Sequence, residues 1–346
     1  MLKNKKSVIL ATVTLALSVS VVKADESVKI GGRIKSGYTY SKKSNEVAKG
    51  VYGDPVNFKL NFTKPFDENI SGYVGFNTTG NNNGSGGKTY AAGLEEAFLT
   101  YKTNVGTFKV GKFFNALTVA GFGSSNSGSL NGVVNNFSPF DSYFAGVGYT
   151  YNNDGLGINA AVFDNNTYSL TLGYVTNSGF NIRGAIAYSD DVKGLNPGGD
   201  SKYLGVSDKN NKDSDIKTYS ADFSYTPRGI YAGVATTIND TKKENGSDKL
   251  PKTVVYSATF LYAIGGDFDN AANLKTKQNN AFYFGGFYNQ TEEFSKTDVK
   301  QISGVVGYAP RNDVRIVLQY DNIKNKPNTG NSTATNQVGA QARVFF

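Results

Sequence analysis

The chain has 346 residues, a formal net charge of +8, and neither cysteine nor histidine. It can therefore form no disulfide and no thiolate metal site, and it lacks the commonest general base and every Ser-His pairing; we expect no enzyme, metal site or cofactor. Four of its lysines lie in the first 24 residues. The remaining positive charge is too small and too dispersed to predict nucleic-acid binding.

The first 24 residues have the pattern of a secretory signal peptide. Lys3, Lys5 and Lys6 form a basic start, an apolar stretch covers 8–22, and the tripeptide VKA at 22–24 has the small residues of a cleavage site. We expect residues 1–24 to be removed and residues 25–346 to form one domain. Beyond residue 24 no run approaches the ~18 apolar residues of a spanning helix, which excludes a helical membrane protein.

Apolar and polar residues alternate with a period of two along most of the mature chain, which predicts strands. In chain order, the predicted strands cover residues 28–40, 56–62, 70–76, 97–101, 108–110, 143–151, 156–162, 168–174, 180–188, 219–225, 230–237, 253–264, 281–291, 299–308, 314–323 and 336–346. A soluble β-sandwich would also alternate, but aromatic residues at the strand ends are typical of membrane barrels. The prediction is an all-β, transmembrane antiparallel barrel of about sixteen strands.

The connections between these strands alternate in length. Short ones lie at 104–106, 152–155, 177–179, 226–229 and 309–313, and long polar ones at 41–54, 79–93, 114–142, 189–216 and 238–251. In outer-membrane barrels the short turns face the periplasm and the long loops face outside. Residues 265–280 break this alternation, which leaves open a missed or misplaced strand there.

Several motifs, taken in order, resemble the general trimeric porins of Gram-negative outer membranes. They are IGGR at 30–33, FKLNF at 58–62, AFLTY at 97–101 followed by VGTFKVGK at 105–112, and the terminal Phe346. The resemblance implies an outer-membrane homotrimer that contacts lipid, is recognised by the barrel assembly machinery through Phe346, and carries a constriction loop folded inward at about 114–142. It also implies a water-filled channel for small hydrophilic solutes and ions.

Two candidate pore residues follow from parity together with this resemblance. Arg33 and Lys59 alternate with the apolar Ile34 and Leu60, so both should face the lumen. Their positions resemble the basic wall of the family's constriction. An equally plain interpretation is that both are simply solvated lumen residues.

Two further candidates come mainly from the resemblance. Lys112 stands where the family has arginine, but it shares parity with Val110 and would reach the lumen only if the strand bends near Gly111. Asp141, near the end of the acid-poor loop, would face the basic wall. Three cations against one acid predict a mild preference for anions, since fixed charges at the narrowest zone decide selectivity.

Two alternatives remain open. The first is a substrate-selective channel for sugars or peptides, although the chain has no tryptophan to form the usual aromatic platforms. The second is a surface adhesin or receptor that uses the long loops at 189–216 and 238–251. A barrel enzyme falls far behind both, because the usual catalytic pairings require histidine.

Overall fold

The computed structural model describes residues 28–43, 46–83, 87–115, 142–164, 166–190, 214–243, 252–270, 275–293, 297–327 and 330–346. In these ranges the chain is almost entirely β-strand. The strands are β1 Lys29–Lys43, β2 Glu46–Pro65, β3 Ile70–Asn83, β4 Gly87–Thr103, β5 Gly106–Asn115, β6 Ser142–Asn153, β7 Leu156–Phe163, β8 Thr167–Val175, β9 Phe180–Ser189, β10 Ser214–Tyr225, β11 Ile230–Lys243, β12 Thr253–Ile264, β13 Phe268–Asn270, β14 Lys275–Thr276, β15 Ala281–Glu293, β16 Thr297–Arg311, β17 Val314–Pro327 and β18 Thr333–Phe345. Among the described residues, no helix is long and apolar enough to cross a membrane.

Sixteen of the described strands form one closed antiparallel barrel in which each strand pairs with its neighbours in the sequence, and β1 pairs with β18 to close the ring. This confirms the predicted all-β barrel and its strand number. The irregular connection at 265–280 holds a separate two-stranded hairpin of β13 and β14. The hairpin explains the unexpected length of this connection without adding a strand to the barrel.

Phe346, the last residue of the sequence, forms backbone hydrogen bonds across the junction of β1 and β18. The backbone N–H of Gly32 donates to the carbonyl oxygen of Phe346 at 2.7 Å, and the N–H of Phe346 donates to the carbonyl of Gly32 at 3.1 Å. The Phe346 ring packs on Phe58, with ring centroids 6.4 Å apart. Position 32 requires glycine, because a Cβ atom there would lie 2.3 Å from the carbonyl oxygen of Lys59.

The two faces of the barrel differ in chemistry. Large apolar side chains are exposed on the outer face, among them Leu99, Val110, Val147, Leu172, Ile182, Phe260, Ile302 and Leu318. The alternate residues point inward and include buried serines, threonines, glutamines and charged groups. An apolar outside with a polar inside suits a barrel that is surrounded by lipid and encloses water.

Two predicted loops are mostly strand. Residues 41–54 and 79–93 belong to long strands of β1 to β4, apart from 44–45 and 84–86, which lie outside the described residues. The predicted loop at 41–54 ends next to Pro55, where the partner strand β2 continues. In the structure Gly53, Asp54 and Pro55 lie in an irregularity of the β1–β2 ladder, where Ser36 pairs with Val56 and the next pair joins Tyr38 to Val51.

Three other predictions fall outside the described residues. The signal peptide at 1–24 is one, and residues 116–141 of the predicted constriction loop, including Asp141, are another. The third is most of the two long loops, at 191–213 and 244–251.

Candidate functional site on the inner wall

The inner wall carries Arg33 and Lys59 on neighbouring strands. They are direct partners in the β1–β2 ladder, next to the pair of Ile34 and Phe58. Ile34 is exposed on the outer face, so Arg33 and Lys59 point inward, because successive side chains alternate across a strand. The structure therefore brings these two predicted residues together.

Lys112 is placed differently. The ladders on both sides of β5 run through Gly111 without a register shift, so Lys112 keeps the outer face of Phe108 and Val110. Its Nζ atom donates to the carbonyl oxygen of Leu94 at 3.1 Å. The lysine of β5 that points inward is Lys109, and sequence analysis did not select it.

Two acidic residues that sequence analysis missed lie beside Lys59. The β3–β4 ladder pairs Gly75 with Glu96 and Phe76 with Leu94, so Glu95 is the extra residue of a β-bulge. The Lys59 Nζ atom lies 2.7 Å from Glu95 Oε2 and 3.5 Å from Glu96 Oε2. The signal for this bulge was present in the sequence, because consecutive glutamates between Leu94 and Ala97 interrupt the alternation.

Further donors hold the two glutamates in place. The Asn77 side-chain amide donates to Glu95 Oε1 at 3.1 Å, and the backbone N–H of Phe114 donates to Glu96 Oε1 at 3.2 Å. The Tyr73 hydroxyl lies close enough to Glu96 to interact with it electrostatically. Donors from β2, β3 and β5 thus converge on the bulge of β4.

A row of aromatic rings continues from this cluster along the inner wall. Tyr73 stacks on Phe98 with centroids 4.8 Å apart, Phe98 meets Phe113 edge-on at 6.3 Å, and Phe113 lies 5.2 Å from Phe163. Lys109 Nζ lies 4.8 Å from the Phe98 centroid and 5.4 Å from that of Phe113. A cation over ring faces gains attraction from the ring quadrupole, so this row holds Lys109 against the wall.

A second ion pair lies between β9 and β10. The Arg183 guanidinium donates to both carboxylate oxygens of Asp222, at 3.2 and 2.8 Å. The Asp222 side chain is 1% exposed, whereas that of Arg183 is 32% exposed. A bidentate pair of this kind satisfies the buried carboxylate.

The inner wall of β15 to β18 is polar but buried. Asp321 accepts hydrogen bonds from the Gln301 amide at 3.1 Å, from the Ser303 hydroxyl at 2.5 Å and from the Gln319 amide at 2.5 Å. On β17 and β18 the Arg315 guanidinium lies 4.0 Å from the Phe345 ring centroid. The Arg343 guanidinium donates a hydrogen bond to the side-chain oxygen of Gln341. Within the part of the chain that the structure describes, no side chains group as metal ligands.

No protein family model matches the sequence, and no curated protein matches it. Solved structures match the barrel over almost its whole length. The chain has the fold of outer-membrane porins. One match is the DcaP outer membrane channel of Acinetobacter baumannii, with TM-score 0.62, 10% identity, and coverage of 94% of this chain and 98% of that one.

Two other matching structures are an anion-selective porin from Comamonas acidovorans and OmpT, an outer membrane protein of Vibrio cholerae, in a trimer form. The first has TM-score 0.61 and 11% identity, and the second has TM-score 0.61 and 16% identity. Both alignments cover 92% of this chain and 99% of the other. At these identities the likeness shows the fold alone.

Proposed function

We propose that the protein is an outer-membrane porin, a water-filled channel through which small hydrophilic solutes and ions diffuse passively. The observation that carries this proposal is a closed barrel of sixteen described strands with an apolar outer face and charged side chains inside. A barrel of this strand number is wide enough to leave an aqueous passage unless it is plugged. Solute flux then depends on the diameter and the fixed charges of the narrowest zone.

A constriction loop made of residues 116–141 is part of this proposal. Asn115 and Ser142, which flank the loop, pair with each other at the ends of β5 and β6. Next to them the inner face carries Phe113, Phe144 and Phe163, each 4–6% exposed. An apolar patch of this kind on the inside of a barrel suits contact with an inward-folded segment of the chain. Asp141 would then enter the lumen.

The selectivity that we propose is a mild preference for anions. Arg33 lies half-buried on the inner face of β1, and the Arg183 side chain is 32% exposed on that of β9, whereas its partner Asp222 is only 1% exposed. The likeness to an anion-selective porin agrees with this sign. Arginine rings on a pore wall favour anions.

We also propose an outer-membrane location after removal of residues 1–24, and assembly as a homotrimer. A trimer form among the similar structures supports the oligomer. The place of Phe346 at the junction of β1 and β18 supports its recognition by the assembly machinery, because a residue that closes the ring is a natural signal of a complete barrel.

The test is single-channel recording of the purified protein in a planar bilayer under a salt gradient. A porin gives large, stepwise conductance that does not saturate with salt, and the sign of the reversal potential reports ion preference. Small conductance that a particular sugar or peptide blocks would favour a substrate-selective channel, which the inner aromatic row of Tyr73 and Phe98 could serve. A folded barrel without conductance would favour a surface adhesin or receptor.

A further inference from the structure

The β4 bulge places two consecutive carboxylates on the same side of the barrel wall. In a regular strand one of two adjacent side chains faces the lumen and the other faces lipid. Because Glu95 is inserted between Leu94 and Glu96, the pairs Phe76–Leu94 and Gly75–Glu96 both keep their register. Both carboxylates can therefore reach Lys59, which contacts each of them.

The contact crosses a whole strand. Lys59 lies on β2 and the glutamates on β4, so the ion pair spans β3, a distance of about 10 Å between strand axes. The partner of Glu96 on β3 is Gly75. A Cβ atom at Gly75 would lie 3.2 Å from Asn61 Oδ1 and 3.3 Å from the Tyr73 hydroxyl. The missing side chain leaves room for Tyr73 to lie over Gly75 and to extend toward Glu96.

The cluster is also accessible in part. The side chains of Glu95 and Glu96 are each 13% exposed, and that of Lys59 is 20% exposed. Lys109 on β5 interacts electrostatically with Glu96. Two lysines and two glutamates thus oppose each other on the wall of β2 to β5, where lysines alone would repel cations.

We infer that Glu95 and Glu96 are selectivity-determining residues of the channel, which cancel the positive charge of Lys59 and Lys109 and thereby let cations pass beside anions. The inference rests on the proposed function and deepens it. The acids lie on the barrel wall itself, and the bulge places Glu95 on the same side as Glu96. The preference for anions therefore stays mild in spite of Arg33 on β1 and Arg183 on β9.

The test is the reversal potential of the full mature chain in a KCl gradient. The double variant Glu95→Gln with Glu96→Gln should lower the permeability ratio of potassium to chloride by about two- to fivefold per charge removed, as expected for a unit charge acting across ~8 Å of water. Lys59→Gln should raise the same ratio. Glu68→Gln, an exposed glutamate in the turn between β2 and β3, is the matched control and should leave it unchanged.

Two further variants guard against misfolding. Lys59→Gln combined with Glu95→Gln removes one charge of each sign and should return the ratio close to that of the wild type. Deletion of Glu95 leaves the Glu96–Gly75 and Leu94–Phe76 pairs in place, so the barrel should fold and the ratio should fall as it does in Glu95→Gln.

An unchanged reversal potential in the conducting double variant would overturn the role of the glutamates while leaving the porin proposal intact. A wild-type protein that folds but does not conduct would instead overturn the proposed function itself. The two failures are therefore distinguishable.

Discussion

Two regions of the inner wall, on β2 to β5 and on β15 to β18, carry similar charged groups in different surroundings. On β2 to β5 the Lys59 and Glu95 side chains are 20% and 13% exposed. On β15 to β18, Asp321, Arg315 and Arg343 have between 0% and 2% of their surface exposed. The first group is open to a passing solute, whereas the second is closed off. The same type of residue can therefore serve passage on one side of the barrel and structure on the other.

The hydrogen-bond partners of the charged groups differ between the two regions in the same way as their exposure. Lys59 faces two carboxylates, and at a partly exposed site water shares in the solvation of all three groups. Asp321 is fully buried and has no access to water, so it accepts hydrogen bonds from two side-chain amides and a hydroxyl instead. A buried carboxylate without these donors would be very costly. The network around Asp321 is thus a requirement of its burial.

The largest effect on stability is expected at Asp321. Asp321→Leu removes the Oδ1 atom that accepts all three hydrogen bonds and leaves their buried donors without an acceptor, which should destabilise the barrel by about 2–3 kcal/mol. Unfolding of the detergent-solubilised protein in urea, followed by circular dichroism, measures the change. Glu95→Leu is the counterpart from the open wall, and a loss as large as that of Asp321→Leu would remove the distinction between the two walls.

An intermediate effect is expected for the pair of Arg183 and Asp222, in which one partner is buried and the other is partly exposed. Arg183→Met should cost about 2 kcal/mol, because it leaves the buried carboxylate of Asp222 without its bidentate partner. Adding Asp222→Leu should recover most of this loss in the same urea experiment. If the double variant is as unstable as the single one, the cost does not come from the uncompensated charge.

The smallest effect is expected at Gly75. Gly75→Ala should move Tyr73 and Asn61 by a few tenths of an ångström and weaken the hold on Glu96, at a cost in stability below about 1 kcal/mol. The reversal potential should shift in the direction of the Glu95→Gln and Glu96→Gln variant, but less. Gly304→Ala is the control, since a Cβ atom there would meet no atom within 4 Å. Equal shifts in both alanine variants would contradict a special role for Gly75.

Much of the fold was predictable because alternation is a local property. The face of Arg33 and Lys59 follows from their neighbours Ile34 and Leu60, and each of the sixteen apolar segments marks one barrel strand. The predictions were wrong where composition suggested a loop but pairing continued. Residues 41–54 and 79–93 are mostly strand, because partner strands supply hydrogen bonds that composition cannot reveal.

The sequence predicted which face of the barrel most side chains take, but it predicted less well which charged residues lie on the inner wall. Lys112 was selected by resemblance, yet Lys109 is the inward lysine of β5, since the ladder passes Gly111 without a shift. Glu95 and Glu96 were overlooked because the rule of alternation assigns one of any two neighbours to lipid. Only an inserted residue could bring both inside.

The sequence by itself determined the number of barrel strands and their inner and outer faces, since these follow from a period of two along the chain. The closed membrane barrel followed from the aromatic strand ends and the alternating lengths of the connections. Only the tertiary structure decided which charges meet. Lys59 contacts Glu96 at a distance of 37 positions in sequence and two strands in space. That contact depends on the register of two ladders and on one bulge, and a shift of a single residue would turn the carboxylates to the opposite face.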